Sequence, residues 1–173
     1  RERGGDVTVS PMAPAEVLTL FSRGELDGAW VAEPWASRLI LEAGGVLAID
    51  ERDLWPEGRV PTTLLAVRPD FLSRHPETVR RFLEAHVAIT REIQADPEGS
   101  RARVQEALAE LQGRPLSDEV IASAWARIDF TYDPMAEAVD ELAGRAFAAG
   151  LLGARRPDLT SLYDLTLLQE VAP

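Results

Sequence analysis

The sequence contains no lysine, no asparagine and no cysteine, and each absence removes chemistry. Without lysine the chain can form no Schiff base and build no P-loop. Without cysteine it has no thiolate nucleophile, no disulfide and no zinc knuckle. The lack of cysteine fits any redox compartment. All 18 basic residues are arginine, set against 29 acidic ones, for a formal net charge of −11. Lysine and asparagine codons are AT-rich, so a GC-rich genome accounts for both absences. So acidic a chain offers no basic stripe to neutralise phosphates, which argues against nucleic acid as a partner. No apolar run is long enough to span a bilayer and no signal peptide is visible; from Arg1, a processed or excised product is expected.

What is present is organised around Gly28-Ala29-Trp30-Val31-Ala32-Glu33-Pro34-Trp35. Apolar and bulky residues predict a buried strand that stops at Glu33-Pro34. Proline gives no N–H to a ladder, and its fixed φ suits the first position of a helix. Glu33 is thus expected at a strand-to-helix junction, with Trp35 in the first helical turn. In open parallel sheets, ligands are met at the carboxyl ends of strands. A carboxylate beside an indole there is a candidate recognition pair.

The 173 residues allow one domain with a real core, or parts of two. Short strands are predicted over Asp6–Ser10, from Gly28 to Glu33, over Val46–Ile49 and over Thr62–Val67. Helices are predicted from Ala15 to Arg23, stopped by Gly24, and from Pro34 to about Ala43, stopped by Gly44-Gly45. The result is a β-α-β-α-β succession with short joints, the pattern of a parallel, right-handed wound sheet. Asp50 to Pro61 is polar and turn-rich.

Beyond Arg68-Pro69 only helices are expected. A long one opens at Pro76, with Val79, Phe82, Leu83, His86, Ile89 and Ile93 on one stripe. Others run from about Ser100 to Leu111, from an N-cap at Ser117, from Met135 to Ala149, and from Asp158 to Val171. Trp125, Phe130 and Tyr132 are core candidates. A β/α first third followed by an α-only remainder is odd for a self-contained doubly wound domain, and suggests a piece of something larger.

Several segments together resemble a known family. They are Ser10-Pro11-Met12-Ala13-Pro14, the helix ending Arg23-Gly24-Glu25-Leu26-Asp27-Gly28, and Ala29 to Ala36 with Glu33-Pro34-Trp35 at its centre. The likeness continues through Thr62 to Arg68, Phe71 to Glu77 and Asp158 to Asp164. The chain resembles the extracytoplasmic substrate-binding proteins of ABC importers for aliphatic sulfonates, taurine and nitrate.

The resemblance implies an α/β fold of the periplasmic-binding-protein type II class, two lobes with the ligand clamped between them. Residues 1–61 would form a second-lobe α/β segment and 62–70 a crossing strand or hinge. Residues 71–173 would be helical and complete the first lobe, whose amino-terminal part is absent. It also implies a non-catalytic role, capture of a small anionic or zwitterionic solute, an ABC permease as membrane partner, and a periplasmic location, free or lipid-anchored.

The expected ligand-binding residues are Glu33, Trp35, Met12, Ser10, Pro34 and Thr62. Helix N-termini near Pro14 and Pro34 favour an anion without any lysine. Ser10, Met12 and Trp35 would form a wall, while Glu33 takes an ammonium or hydroxyl, or orients a neighbouring donor. Against this stands the plainer reading that Glu33 caps its own helix and Trp35 roofs the core. Thr62 ranks below Trp35, since a β-branched residue in a strand needs no further role.

No cofactor or metal is expected. His75 and His86 are eleven residues apart, roughly 16 Å of helical rise, and cannot share an ion. The acidic run Asp50-Glu51-Arg52-Asp53 lacks the spacing of a calcium loop. Two other functions compete: a ligand-sensing module of a signalling protein, and an enzyme similar to the desulfinases or thiamine-pyrimidine synthases of the same fold. The enzymes rely on a cysteine or a lysine-bound cofactor, and this chain has neither residue. Self-association through an unpaired sheet edge is also expected.

Overall fold

The computed structural model describes residues 7–172. Eight α-helices are found among them: α1 (Pro14–Ser22), α2 (Trp35–Ala43), α3 (Pro69–Arg74), α4 (Pro76–Ala95), α5 (Pro97–Gln112), α6 (Asp118–Trp125), α7 (Ala136–Ala148) and α8 (Thr166–Val171). Two 3₁₀ turns, Glu51–Leu54 and Pro56–Gly58, lie between α2 and α3.

The fold class expected from the sequence is corrected here. Among the described residues there is no strand and no sheet. Val7–Ser10, the stretch before α2, Val46–Ile49 and Thr62–Val67 are non-helical, as expected, but none carries a ladder. Asp6, the first residue of the first predicted strand, lies outside the described residues. An extended segment satisfies its backbone groups in a sheet only where another strand lies alongside. Without that neighbour its apolar side chains have nothing to pack on: Val9 is 84 % and Val46 89 % exposed. The sheet edge expected to drive self-association is therefore absent among the described residues. Exposed apolar side chains stand in its place.

The chain divides into two compact units, one made of Arg1–Leu47 and Val104–Ile128, the other of Ala48–Arg103 and Asp129–Pro173. In the first unit α1 packs on α2, and α2 on α6. Pro14 opens α1, which buries Val17. Helix α2 buries Ser37 and Leu39 and ends at Gly44, whose φ of +70° is left-handed. At the next residue, Gly45, an added Cβ would stand 3.0 Å from the Leu39 carbonyl oxygen, which accepts the Gly45 N–H. Glycine is favoured at 44 by its left-handed φ and at 45 by the close approach of the backbone. Helix α6 is capped by Ser117, whose hydroxyl accepts the Val120 N–H at 3.2 Å. Asp118 and Glu119 complement the dipole of its first turn. It buries Val120, Ile121 and Ala124.

In the second unit α4 packs against α3 and α8, and the Arg80–Glu170 ion pair joins α4 to α8. The expected stripe of α4 is only partly the buried one: Val79, Val87 and Thr90 are buried, whereas Phe82 is 55 % and Ile89 56 % exposed. Apolar residues occupy two sides of this helix, and periodicity alone does not rank them.

The polar, turn-rich stretch supplies an unexpected core residue, Trp55. The Arg145 guanidinium lies 4.4 Å over its ring centroid and donates to the Leu54 carbonyl at 2.8 Å. Trp125, Phe130 and Tyr132 are only partly buried. The tail is helical from Thr166, not from Asp158. The carboxylates of Asp158 and Asp164 each accept the N–H two residues on, from Thr160 and Thr166. Such local bonds hold turns in place of helix.

Candidate functional site

The candidate site forms at the entry to α2. The Ala32 carbonyl accepts the Trp35 N–H at 3.0 Å, so the chain turns into the helix across Glu33 and Pro34, which are joined by a cis peptide bond. The Glu33 carboxylate folds back over the first turn. Its Oε2 accepts the Ser37 N–H at 3.0 Å, satisfying one of the donors that a helix start leaves free. Its Oε1 accepts Nη1 of Arg127 at 3.2 Å. The side chain of Glu33 is 10 % exposed and that of Arg127 27 %.

One turn along α2, the fully buried Ser37 donates its hydroxyl to Ser123 Oγ at 2.9 Å. Glu33 lies just before α2 and Arg127 just after α6, so each is within reach of the first or last turn of the helix beside it. Two polar links thus tie the start of α2 to the end of α6. A carboxylate in this position serves both as cap and as counter-ion.

Trp35 is partly buried, and the Arg38 guanidinium lies 4.8 Å from its ring centroid. Arg38 also pairs with Glu42 at 3.0 Å. Pro34 and Met12 are partly buried, and Ser10 is exposed. Glu33, Pro34 and Trp35 are brought together by chain adjacency. Thr62 belongs to the other unit and is exposed.

The sequence reading did not single out Ser37, Ser123 or Arg127. For Ser37 a signal existed, since it lies one helical turn after Glu33. Arg127 lies 94 residues from its partner, a separation that leaves no local trace.

The second unit carries a groove of about 490 Å³ lined by Ala136, Asp140, Arg156, Asp158, Thr160 and Tyr163, among others. Arg156 donates to the Asp140 carboxylate at 2.7 Å. The Tyr163 hydroxyl is buried there without a hydrogen-bond partner. Burial, and then the charge of Asp140, push its phenol above the ordinary value. Among the described residues no group of three histidine, aspartate or glutamate side chains is placed to hold a metal ion. No helix among them is long and apolar enough to cross a membrane.

Comparison with known proteins matches residues 2–109, more than half of the chain, to the NMT1-like family. The chain belongs to that family. This NMT1-like chain is 28 % identical over 94 residues to the taurine-binding periplasmic protein of Escherichia coli K12, a match covering 54 % of the chain and 29 % of that relative. It is 32 % identical over 84 residues to the bicarbonate transport ATP-binding protein CmpC of Synechocystis, covering 46 % of the chain and 12 % of the relative. The nitrate import ATP-binding protein NrtC of the same organism is 27 % identical over 84 residues, with the same coverage of 46 % and 12 %. The NMT1-like chain therefore aligns with less than a third of the length of each of these relatives. No solved structure matches. The likeness to sulfonate-, taurine- and nitrate-type substrate-binding proteins thus stands on the family match and the taurine-binding relative.

Proposed function

We propose that the NMT1-like chain is part of a non-catalytic, periplasmic solute receptor that delivers a small anionic or zwitterionic solute to an ABC permease. The observation that carries this reading is the match to a taurine-binding periplasmic protein over 94 residues. The two Synechocystis relatives, named for bicarbonate and nitrate transport, widen the solute class to small oxyanions. The absence of cysteine and lysine costs a binding protein nothing, because capture needs no nucleophile.

In this reading the solute meets the junction at Glu33, Pro34 and Trp35, with Met12 and Ser10 as further wall residues. The starts of α1 and α2 supply dipole ends that favour negative charge; the first-turn N–H groups of α2 are already taken by Ala32, Glu33 and Pro34. Both oxygens of Glu33 already accept hydrogen bonds, so its part is to fix the donors around the solute. The exposed apolar segments, with Val9 and Val46 most open, are the surface through which the isolated chain self-associates.

The test is calorimetric titration of the full-length gene product with taurine, ethanesulfonate, nitrate and bicarbonate, repeated with Trp35→Ala. Saturable binding of at least one of them, weakened about tenfold or more in the variant, supports the receptor and its site; tenfold is 1.4 kcal/mol. A folded protein that takes none of the four rejects it.

A further inference from the structure

We infer that Arg127 is the specificity-determining residue of this site, the guanidinium that reads the anionic head of the solute. The inference rests on the receptor reading above and goes beyond it by naming a residue that neither the sequence pattern nor the family match singles out.

Unspent donors set one arginine of the first unit apart. With no lysine in the chain and both histidines, His75 and His86, in the second unit, a side-chain cation that this unit offers an anion is an arginine. Four arginines belong to the described part of the first unit: Arg23, Arg38, Arg114 and Arg127. Arg23 and Arg114 are exposed and solvated. Arg38 is committed, with Nε and Nη2 on Glu42 and its face on Trp35. Arg127 differs from all three. Its side chain is largely covered, yet of the five N–H donors that a guanidinium carries, one Nη1 proton alone is spent, on Glu33. The remaining Nε and Nη2 donors are not among the buried unpartnered atoms of the described residues, so this edge opens to solvent and is free to meet an incoming acceptor.

The same edge is also held in place. Glu33 cannot swing away to follow Arg127, because its second oxygen is fixed by the Ser37 N–H. Ser37 in turn is locked to Ser123, one turn before Arg127. A guanidinium clamped at one corner presents a rigid planar fork, and two parallel N–H groups match the paired oxygens of a sulfonate or carboxylate. Charge does not oppose this. The Glu33 carboxylate faces both the Arg127 cation and the positive end of α2, which leaves a small positive excess for an incoming anion.

The experiment titrates the full-length gene product with taurine and ethanesulfonate, comparing wild type with Arg127→Lys, Arg127→Met and Glu33→Gln. Thermal melts are recorded for each. Lysine retains a cation for Glu33 but has no fork. Arg127→Lys is therefore expected to fold and to bind ethanesulfonate about tenfold or more weakly. Arg127→Met is expected to lose most of the salt dependence of binding, which a brace alone would not alter. Glu33→Gln, which frees the fork from its clamp, is expected to weaken binding less than Arg127→Met.

Wild-type binding that both Arg127 variants retain in full overturns the inference and leaves the receptor reading standing. So does an Arg127→Lys protein that fails to fold, since the residue would then be purely a brace. A wild type that ignores both sulfonates removes the sulfonate reading and this inference with it.

Discussion

Ser37 and Ser123 meet hydroxyl to hydroxyl at 2.9 Å, and Ser37 is fully buried. Neither hydroxyl has another recorded partner, so each depends on the other. Ser37→Ala leaves Ser123 without its donor and is expected to cost about 1–2 kcal/mol of unfolding free energy. Adding Ser123→Ala to that variant should cost little more, because the pair acts as one unit. Urea denaturation of the two single variants and the double variant measures the coupling; strictly additive losses would refute it.

Acid should loosen the second unit through Asp133. The Arg59 guanidinium at 2.7 Å, and next the Met135 N–H at 2.8 Å, hold this carboxyl below its usual range. The same hydrogen bond supports Met135 at a φ of +54°, a left-handed conformation at the start of α7. A depressed folded-state pKa means that the unfolded chain binds protons first as the pH falls. The stabilisation is therefore complete above the ordinary carboxylate value, about 3.9, and is lost as the pH drops through the folded one. Asp133 is half-exposed, so the effect is expected to stay below about 1 kcal/mol. Asp133→Asn should flatten the acid limb of stability against pH, followed by urea midpoints between neutrality and pH 2.5. An unchanged limb counts against the assignment.

Removing a polar atom should help at Tyr163. Its hydroxyl is buried without a partner, and an unsatisfied buried group costs about 1–3 kcal/mol. Tyr163→Phe keeps the ring and is expected to raise the melting temperature of the chain. A drop of several degrees would mean that the hydroxyl is satisfied in solution.

The exposed valines should make the isolated 173-residue chain sticky. Val9 and Val46 stand almost wholly in water, and apolar area favours any contact that removes it, at about 25 cal/mol per Å². Sedimentation is expected to show mass rising with concentration, and Val9→Asp with Val46→Asp to reduce that rise. A chain that stays monomeric at millimolar concentration rules the contact out.

Most helices were legible in the sequence because their ends are punctuated; the short α3 was not. Pro14, Pro76 and Ser117 open α1, α4 and α6, and Gly24, Gly44 and Gly150, with φ between +70° and +77°, follow α1, α2 and α7. These are local rules that hold whatever the chain packs against. The strands were not realised because β pattern describes a fit to neighbouring strands, and segments such as Val46–Ile49 have none beside them among the described residues. Glu33 was legible as the cap of its own helix, but not as the partner of a distant donor. Nor was the donor itself, since the end of α6 carries no mark of what it will face. Trp55 was hidden in a loop-like stretch because its covering guanidinium comes from Arg145, 90 positions along.

The first unit is assembled from two pieces of chain, Arg1–Leu47 and Val104–Ile128, with the residues between them belonging elsewhere. On the ribosome the first piece emerges early and must wait. At roughly 5–20 residues per second, several seconds pass before Ser123 and Arg127 leave the exit tunnel to meet Ser37 and Glu33. During that interval α1 and α2 exist without α6. Closing so long a loop also carries an entropic cost that no local contact offsets. The polar clamp that joins Glu33 and Ser37 to Ser123 and Arg127 is therefore one of the last parts of this unit to form.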